Sequence, residues 1–303
     1  EDLIDLHGKV ALVTGGNTGI GYATIQMLAR KGAKVYMAAR DEGRALAAIK
    51  QLESENISSG SVHWLKLELS DPRAAANAGK DFLEKEKRLD ILGLSTPGPY
   101  KLDKDGLLDI MVINHFSHFA FTQTLLPLLE ETAKEAGSDV RIVNVTSRAH
   151  EMVKPETFAT REAFNKDYGE TMNGYLSTYG NSKLANVLHV KALQKRFKAQ
   201  SVSITCIAAH PGPIKTIGSD DFVASVPYVG WLLKKTIAPF YFGPWRKGAM
   251  TVAFAAAGKD VAEQKEKYEG AYLVPIAKIA KPSQFALDGR LATELYETTE
   301  KII

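Results

Sequence analysis

Cysteine is almost missing from this chain. Cys206 is the only one in 303 residues, so no internal disulfide can form and no paired-cysteine redox motif or thiolate metal cage can be built. It sits in an apolar run, where a small inert buried thiol is the ordinary outcome, and a reducing, cytoplasmic setting is expected. No stretch approaches the roughly 18 apolar residues that suggest a membrane span, and no signal peptide is visible. The chain opens at Glu1, not Met, which leaves open a removed leading anchor. An excess of one charge is lacking too: 38 Lys and Arg stand against 35 Asp and Glu. The basic residues are scattered and form no block, so no nucleic-acid partner is expected. With 45% hydrophobic residues, no repeat and no low-complexity linker, residues 1–303 read as a single α/β domain with an ordinary core.

Short β-branched runs alternate with longer helical patterns. Strands are expected at residues 9–14, 34–39, 61–69, 90–94, 141–146, 202–208 and 271–275. Helices are expected at 19–31, 43–53, after Asp71-Pro72, at 107–132 and 177–199, and from Ala286 onward. This alternation predicts a Rossmann-type, doubly wound, mostly parallel sheet of seven strands with helices on both faces. Two stretches break the rhythm. Residues 150–176 are polar and irregular. Residues 217–247 are dense in aromatics and prolines, including Phe222, Trp231, Phe240, Tyr241 and Trp245. Loops this long are usually functional, and the second reads as an apolar lid over a hydrophobic small-molecule substrate. Packing of the lid on its own body, and contact with a membrane surface, are the competing readings.

The first strand ends in Thr14-Gly15-Gly16-Asn17-Thr18-Gly19-Ile20-Gly21, and a helix follows. Glycines there permit a tight turn and let a pyrophosphate approach the helix N-terminus, where free N–H groups and the dipole bind the anion. The second strand ends Ala39-Arg40-Asp41. An acidic tip suits a free ribose 2′-hydroxyl, whereas a guanidinium suits a 2′-phosphate, so Arg40 points to NADP(H). Tyr179 and Lys183 are four apart in a helical stretch and share a face. A free phenol titrates at about 10; a neighbouring ammonium and an oxidised nicotinamide lower that value and make Tyr179 a general acid and base. Lys183 also suits the ribose hydroxyls. Ser147 closes the fifth strand, where a hydroxyl faces the ligand crevice and can bond a carbonyl oxygen, with Thr146 the neighbouring alternative.

With its Thr-Gly-x-x-x-Gly-x-Gly turn and Tyr-x-x-x-Lys pair, the chain resembles the short-chain dehydrogenase/reductase family. It is similar to retinol-dehydrogenase-like and carbonyl-reductase-like members, especially fungal ones, over nearly its whole length. The resemblance implies Ser147, Tyr179 and Lys183 as catalytic residues, with Asn114 holding a water that links the lysine to solvent. It makes Arg44 and Asn17 partners of Arg40 in NADP(H) recognition, and puts Glu68-Leu69 where Asp-Leu usually touches the adenine. In His210-Pro211-Gly212-Pro213-Ile214-Lys215-Thr216 it assigns Pro211, Gly212, Ile214 and Thr216 to the nicotinamide carboxamide, with hydride leaving the pro-S face. His115 and His118 flank Asn114 as packing residues and not as metal ligands. The chain departs from the family at the fourth strand: Leu94-Ser95-Thr96-Pro97-Gly98 replaces Asn-Asn-Ala-Gly, and Ser95 is the expected substitute contact. Ser147 and Tyr179 are 32 apart, farther than in compact members, which favours a monomer over a homodimer. An NADP(H)-dependent oxidoreductase for a hydrophobic alcohol and its ketone or aldehyde is the reading carried forward. A cofactor-binding scaffold with little turnover, and a membrane-associated retinoid- or lipid-type dehydrogenase, are its rivals.

Overall fold

Every residue of Val10–Thr14 (β1) is buried, as a strand covered on both faces requires. Lys34–Ala39 (β2), Ile91–Leu94 (β4), Val140–Val145 (β5) and Ile204–Ala209 (β6) are equally dry, apart from half-buried Lys34. Ser61–Lys66 (β3) is half-exposed, in keeping with its place at the sheet edge. The structure is a computed structural model that describes residues 2–57, 59–94, 105–166, 168–169, 171–213 and 244–303. Its sheet runs β3-β2-β1-β4-β5-β6-β7-β8, with β7 Tyr272–Val274 and β8 Lys278–Ala280. All pairings are parallel except the last. Eight strands replace the seven expected: β8 is a three-residue return strand, too short to leave an alternation in the sequence. The order reverses between β1 and β4, so a crevice opens beyond their carboxyl ends, where such sheets bind ligands.

Two apolar layers sandwich the sheet. On one face Gly19–Ala29 (α1), Glu42–Ser54 (α2) and the helix Trp245–Ala257 bury Ile25, Leu28, Ile49 and Val252. On the other, Pro72–Lys85 (α3), Ser117–Lys134 (α4), Met172–Ala199 (α5) and the C-terminal helix Gly289–Ile302 bury Phe82, Phe121, Leu188 and Leu295. Trp245–Ala257 is α6 and Gly289–Ile302 is α7. A charged pair lies inside as well. Arg141 is 0% exposed; it pairs with Asp139 and donates to the carbonyls of Ala255 at 3.2 Å and Gly258 at 3.0 Å, closing the C-terminal end of α6. A buried guanidinium is tolerable only when its donors are taken in this way.

Three expectations change. The helix expected over 107–132 is not uniform: a single α-turn, Asp109–Met111, leads into a π-helical turn, Val112–Phe116, before α4. π turns are rare and cluster at functional sites. Residues 150–176, polar and irregular in sequence, also carry core: Phe158 and Phe164 are fully buried and Phe164 packs on Phe116 at 4.9 Å. The expected lid at 217–247 ends inside regular structure, since Trp245–Lys247 opens α6; residues 217–243 lie outside the described residues. Among the described residues no helix is long and apolar enough to cross a membrane.

Candidate active site

The turn after β1 is shaped by backbone that favours glycine. Gly15 and Gly19 have φ of 62° and 57°. A Cβ on Gly21 would lie 2.4 Å from the Gly15 carbonyl oxygen, so the turn closes on α1 only because that atom is missing. The half-buried Asn17 and the exposed Thr18 form the rim, followed by half-buried Ile20. Thr18 stands at the N-cap of α1 in extended conformation but makes no capping bond, and no acidic side chain occupies the first turn. The helix therefore presents its positive end beside an uncapped rim.

The next two strand tips hold the charged residues. Arg40 is 75% exposed and faces Glu68 at 3.8 Å. Asp41 is turned away: its carboxylate accepts from the Arg44 N–H at 2.8 Å and caps α2. Arg44 itself is exposed. Glu68 also accepts from the Ser70 N–H at 2.9 Å, and the Leu69 carbonyl accepts from the Ser117 hydroxyl at 2.7 Å.

At the carboxyl end of β5 lie Ser147, Tyr179 and Lys183. Tyr179 and Lys183 stand one turn apart on α5, with the ammonium 5.4 Å from the ring centroid. Lys183 Nζ donates to the Val145 carbonyl at 3.4 Å, and Thr146 Oγ1 donates to the Lys183 carbonyl at 2.8 Å. Thr146 is thus spent on holding α5 against β5. Ser147 is the residue whose side chain reaches the phenol. Its hydroxyl also accepts from the Ala149 N–H at 3.3 Å, opening a 3₁₀ turn, Arg148–Met152. Burial pushes the Tyr179 phenol up to about 12, and hydrogen bonding with Ser147 pulls it back. Burial pushes the Lys183 ammonium down to about 8. The expected lowering depends on the oxidised nicotinamide as well as Lys183; in the protein alone, loss of solvent is the larger effect on the phenol.

Asn114 lies in the π turn, buried, with Nδ2 donating to Ser182 Oγ at 2.9 Å. The Ser182 hydroxyl in turn donates to the Tyr179 carbonyl at 2.8 Å. Asn114 Oδ1 is buried without a protein partner, a natural seat for a bound water. Ser182, and Asn186 donating to the Val145 carbonyl at 3.1 Å, are not among the residues expected from sequence. Their signal was polar residues on the inner face of a long helix. His115 bonds Thr299 at 2.8 Å and stacks on Phe164.

After β6, Pro211 is buried and Gly212 takes φ of 91°, with Pro275 pressed against the place a Cβ would occupy. Ser95, Ile214 and Thr216 lie outside the described residues. The expected site residues that are described thus gather along the carboxyl ends of β1 to β6: the glycine turn and the arginine tip on one side, Ser147, Tyr179, Lys183 and Asn114 on the other.

Residues 9–159 match the family described as short chain dehydrogenase. A short-chain dehydrogenase/reductase of Armillaria gallica is 43% identical over 306 residues, covering 100% of this chain and 95% of that one. Among solved structures, a putative uncharacterized protein from Mycobacterium paratuberculosis superposes with a TM-score of 0.72 at 25% identity, covering 99% of this chain and 95% of that one. A blue fluorescent protein from a metagenomic library, in complex with NADPH, gives 0.61 at 25% identity, covering 90% and 98%. With this agreement along its whole length, the chain belongs to the short-chain dehydrogenase/reductase family, whose members are oxidoreductases on a Rossmann-type fold.

Proposed function

We propose that the protein is an NADP(H)-dependent oxidoreductase that interconverts a hydrophobic alcohol and its ketone or aldehyde within one domain. The observation that carries this reading is the convergence of Ser147, Tyr179 and Lys183 beyond β5, with the unpartnered Asn114 Oδ1 behind them. The residues fit a dinucleotide. The glycine turn closes tightly on α1 because Gly21 carries no Cβ, the N-terminus of α1 is uncapped, and Arg40 is exposed at the next strand tip. Arg40 suits a 2′-phosphate with paired bonds, with Glu68 as the partner it exchanges. NADPH in the metagenomic neighbour agrees with this choice.

When bound, the nicotinamide supplies the hydride. The chain's own residues handle the oxygen. Ser147 holds the carbonyl oxygen by a hydrogen bond, and Tyr179 donates its phenolic proton to that oxygen as the C–H bond forms, so hydride and proton together give the alcohol. Lys183 supports the phenolate left behind and holds the ribose. Asn114, through its Oδ1, seats the water that returns a proton to the lysine. In the oxidative direction the same groups run backwards, Tyr179 accepting the proton. At neutral pH the raised phenol is protonated, as a proton donor to the carbonyl oxygen must be.

The test is an aldehyde and ketone panel with NADPH or NADH, comparing wild type with Tyr179→Phe. Turnover is expected with NADPH on bulky apolar carbonyls, and its loss in the variant. Equal slow consumption of NADPH by both proteins contradicts the enzyme reading and favours a cofactor-binding scaffold.

A further inference from the structure

One helical turn beyond Asn114, the side chain of His118 is buried between the glycine turn and the π turn. Its Nε2 lies 3.0 Å from Thr14 Oγ1, and its Nδ1 lies 3.3 Å from the Asn114 carbonyl oxygen. The chemistry of the two ends fixes the protons. A carbonyl only accepts, so Nδ1 carries the hydrogen; Nε2 of the neutral ring is then the acceptor, and the Thr14 hydroxyl donates to it. Burial and the nearby Lys183 charge keep the ring neutral, pushed down to about 4. Thr14 is the fully buried last residue of β1, directly before Gly15. Asn114 is fixed by two opposed contacts, its side chain to Ser182 and its carbonyl to His118.

We propose that His118 is a positioning residue that ties the dinucleotide-binding turn to the relay residue Asn114. A rigid ring with one donor and one acceptor spans the gap between β1 and the helical segment across the sheet. It sets the glycine turn and the π turn at one fixed separation, so the group that seats the cofactor phosphates and the group that seats the relay water move together. A leucine of similar volume removes this partner from both ends while leaving the apolar packing. The role assigned to His118 rests on reading the site as that of an NADP(H)-dependent oxidoreductase.

The two arms can be cut separately. His118→Asn keeps an amide donor near the Asn114 carbonyl but is too short for Thr14, and Thr14→Val removes the same bond from the other side. Each is expected to raise the NADPH dissociation constant about tenfold by fluorescence titration, with the double variant no worse than either single one. kcat at saturating NADPH is expected to fall less in both than in His118→Leu, because the Asn114 arm remains. His118→Leu cuts both arms; it is expected to lower kcat at least about tenfold as well and to displace its pH profile, while His118→Asn keeps the wild-type profile. Unchanged NADPH binding in Thr14→Val and His118→Asn overturns the coupling, as do effects that simply add in the double variant. Melting curves without dinucleotide separate this from a folding defect; if the leucine variant fails to fold, the comparison of Thr14→Val with His118→Asn decides. Failure of the wild type to bind either dinucleotide overturns the reading of the site beneath it.

Discussion

The two halves of the site are built from different material. Beyond β1, β2 and β3 the structure offers backbone: glycines at positive φ, an uncapped helix end, and an arginine that is mostly in water. Beyond β5, and on the helices against it, the structure offers side chains, most of them buried and tied to one another through Ser182, Asn186 and Thr146. The contrast separates two kinds of sensitivity. A surface built from backbone is damaged by added atoms and barely notices lost ones. A buried polar constellation is damaged by any lost partner, because what remains is desolvated and unpaired. The 3.8 Å contact of Arg40 with Glu68 adds little to the fold, since exposed pairs contribute about 0–1 kcal/mol to stability.

Substitutions on the two sides can break or sharpen this contrast. The largest effect on binding is expected from Gly21→Ala. The added methyl meets the Gly15 carbonyl oxygen at 2.4 Å, so the turn must open. Titration of dinucleotide fluorescence is expected to show an NADPH dissociation constant raised about a hundredfold, with stability lowered by roughly 1–3 kcal/mol. Normal affinity in this variant removes the glycine turn from the site. Arg40→Ala is expected to weaken NADPH about tenfold and leave NADH unchanged, read as the ratio of the two dissociation constants. If both weaken equally, Arg40 does not distinguish the phosphate.

The remaining effect is on stability alone, and it has the opposite sign. Lys183 titrates near 8 in the folded chain, against about 10.5 in a free chain. Between those values the unfolded state binds more protons, so stability rises with pH across this window, and the penalty is complete below pH 8. Lys183→Met is therefore expected to melt a few degrees higher at pH 7, by at most roughly 3 kcal/mol, with the gap narrowing as pH rises toward 9. Above pH 10 the raised Tyr179 acts in the other direction: the stability it contributes below pH 10 is lost as pH approaches 12. A destabilised methionine variant at pH 7 means that the lysine is a structural brace, contrary to a site in which function works against stability.

Local spacing made most of the site legible in the sequence. Thr14 to Gly21 is one uninterrupted turn between a strand and a helix, and Tyr179 and Lys183 fall on one helix face through their separation alone. What escaped depends on contacts between distant segments. The π turn over Val112–Phe116 continues the helical stretch around it without a break in the sequence, and β8 is too short to alternate. Whether Ser147 or Thr146 faces the crevice is decided by the bond from Thr146 to the Lys183 carbonyl, which joins two segments 37 residues apart. The polar look of residues 150–176 concealed Phe158 and Phe164, because two buried rings in an irregular stretch carry no period. The burial that raises the Tyr179 phenol escaped for the same reason: burial belongs to the fold, whereas the neighbouring lysine is visible in the sequence.

The central claim is that Tyr179 acts on the proton and not on the cofactor. Stopped-flow single turnover, with NADPH bound in advance and an apolar ketone in excess, separates the two. Tyr179→Phe is expected to bind NADPH within about threefold of wild type and to oxidise it more slowly by a factor of about 10² to 10⁴. Oxidation at the wild-type rate by the phenylalanine variant, with binding intact, contradicts the account.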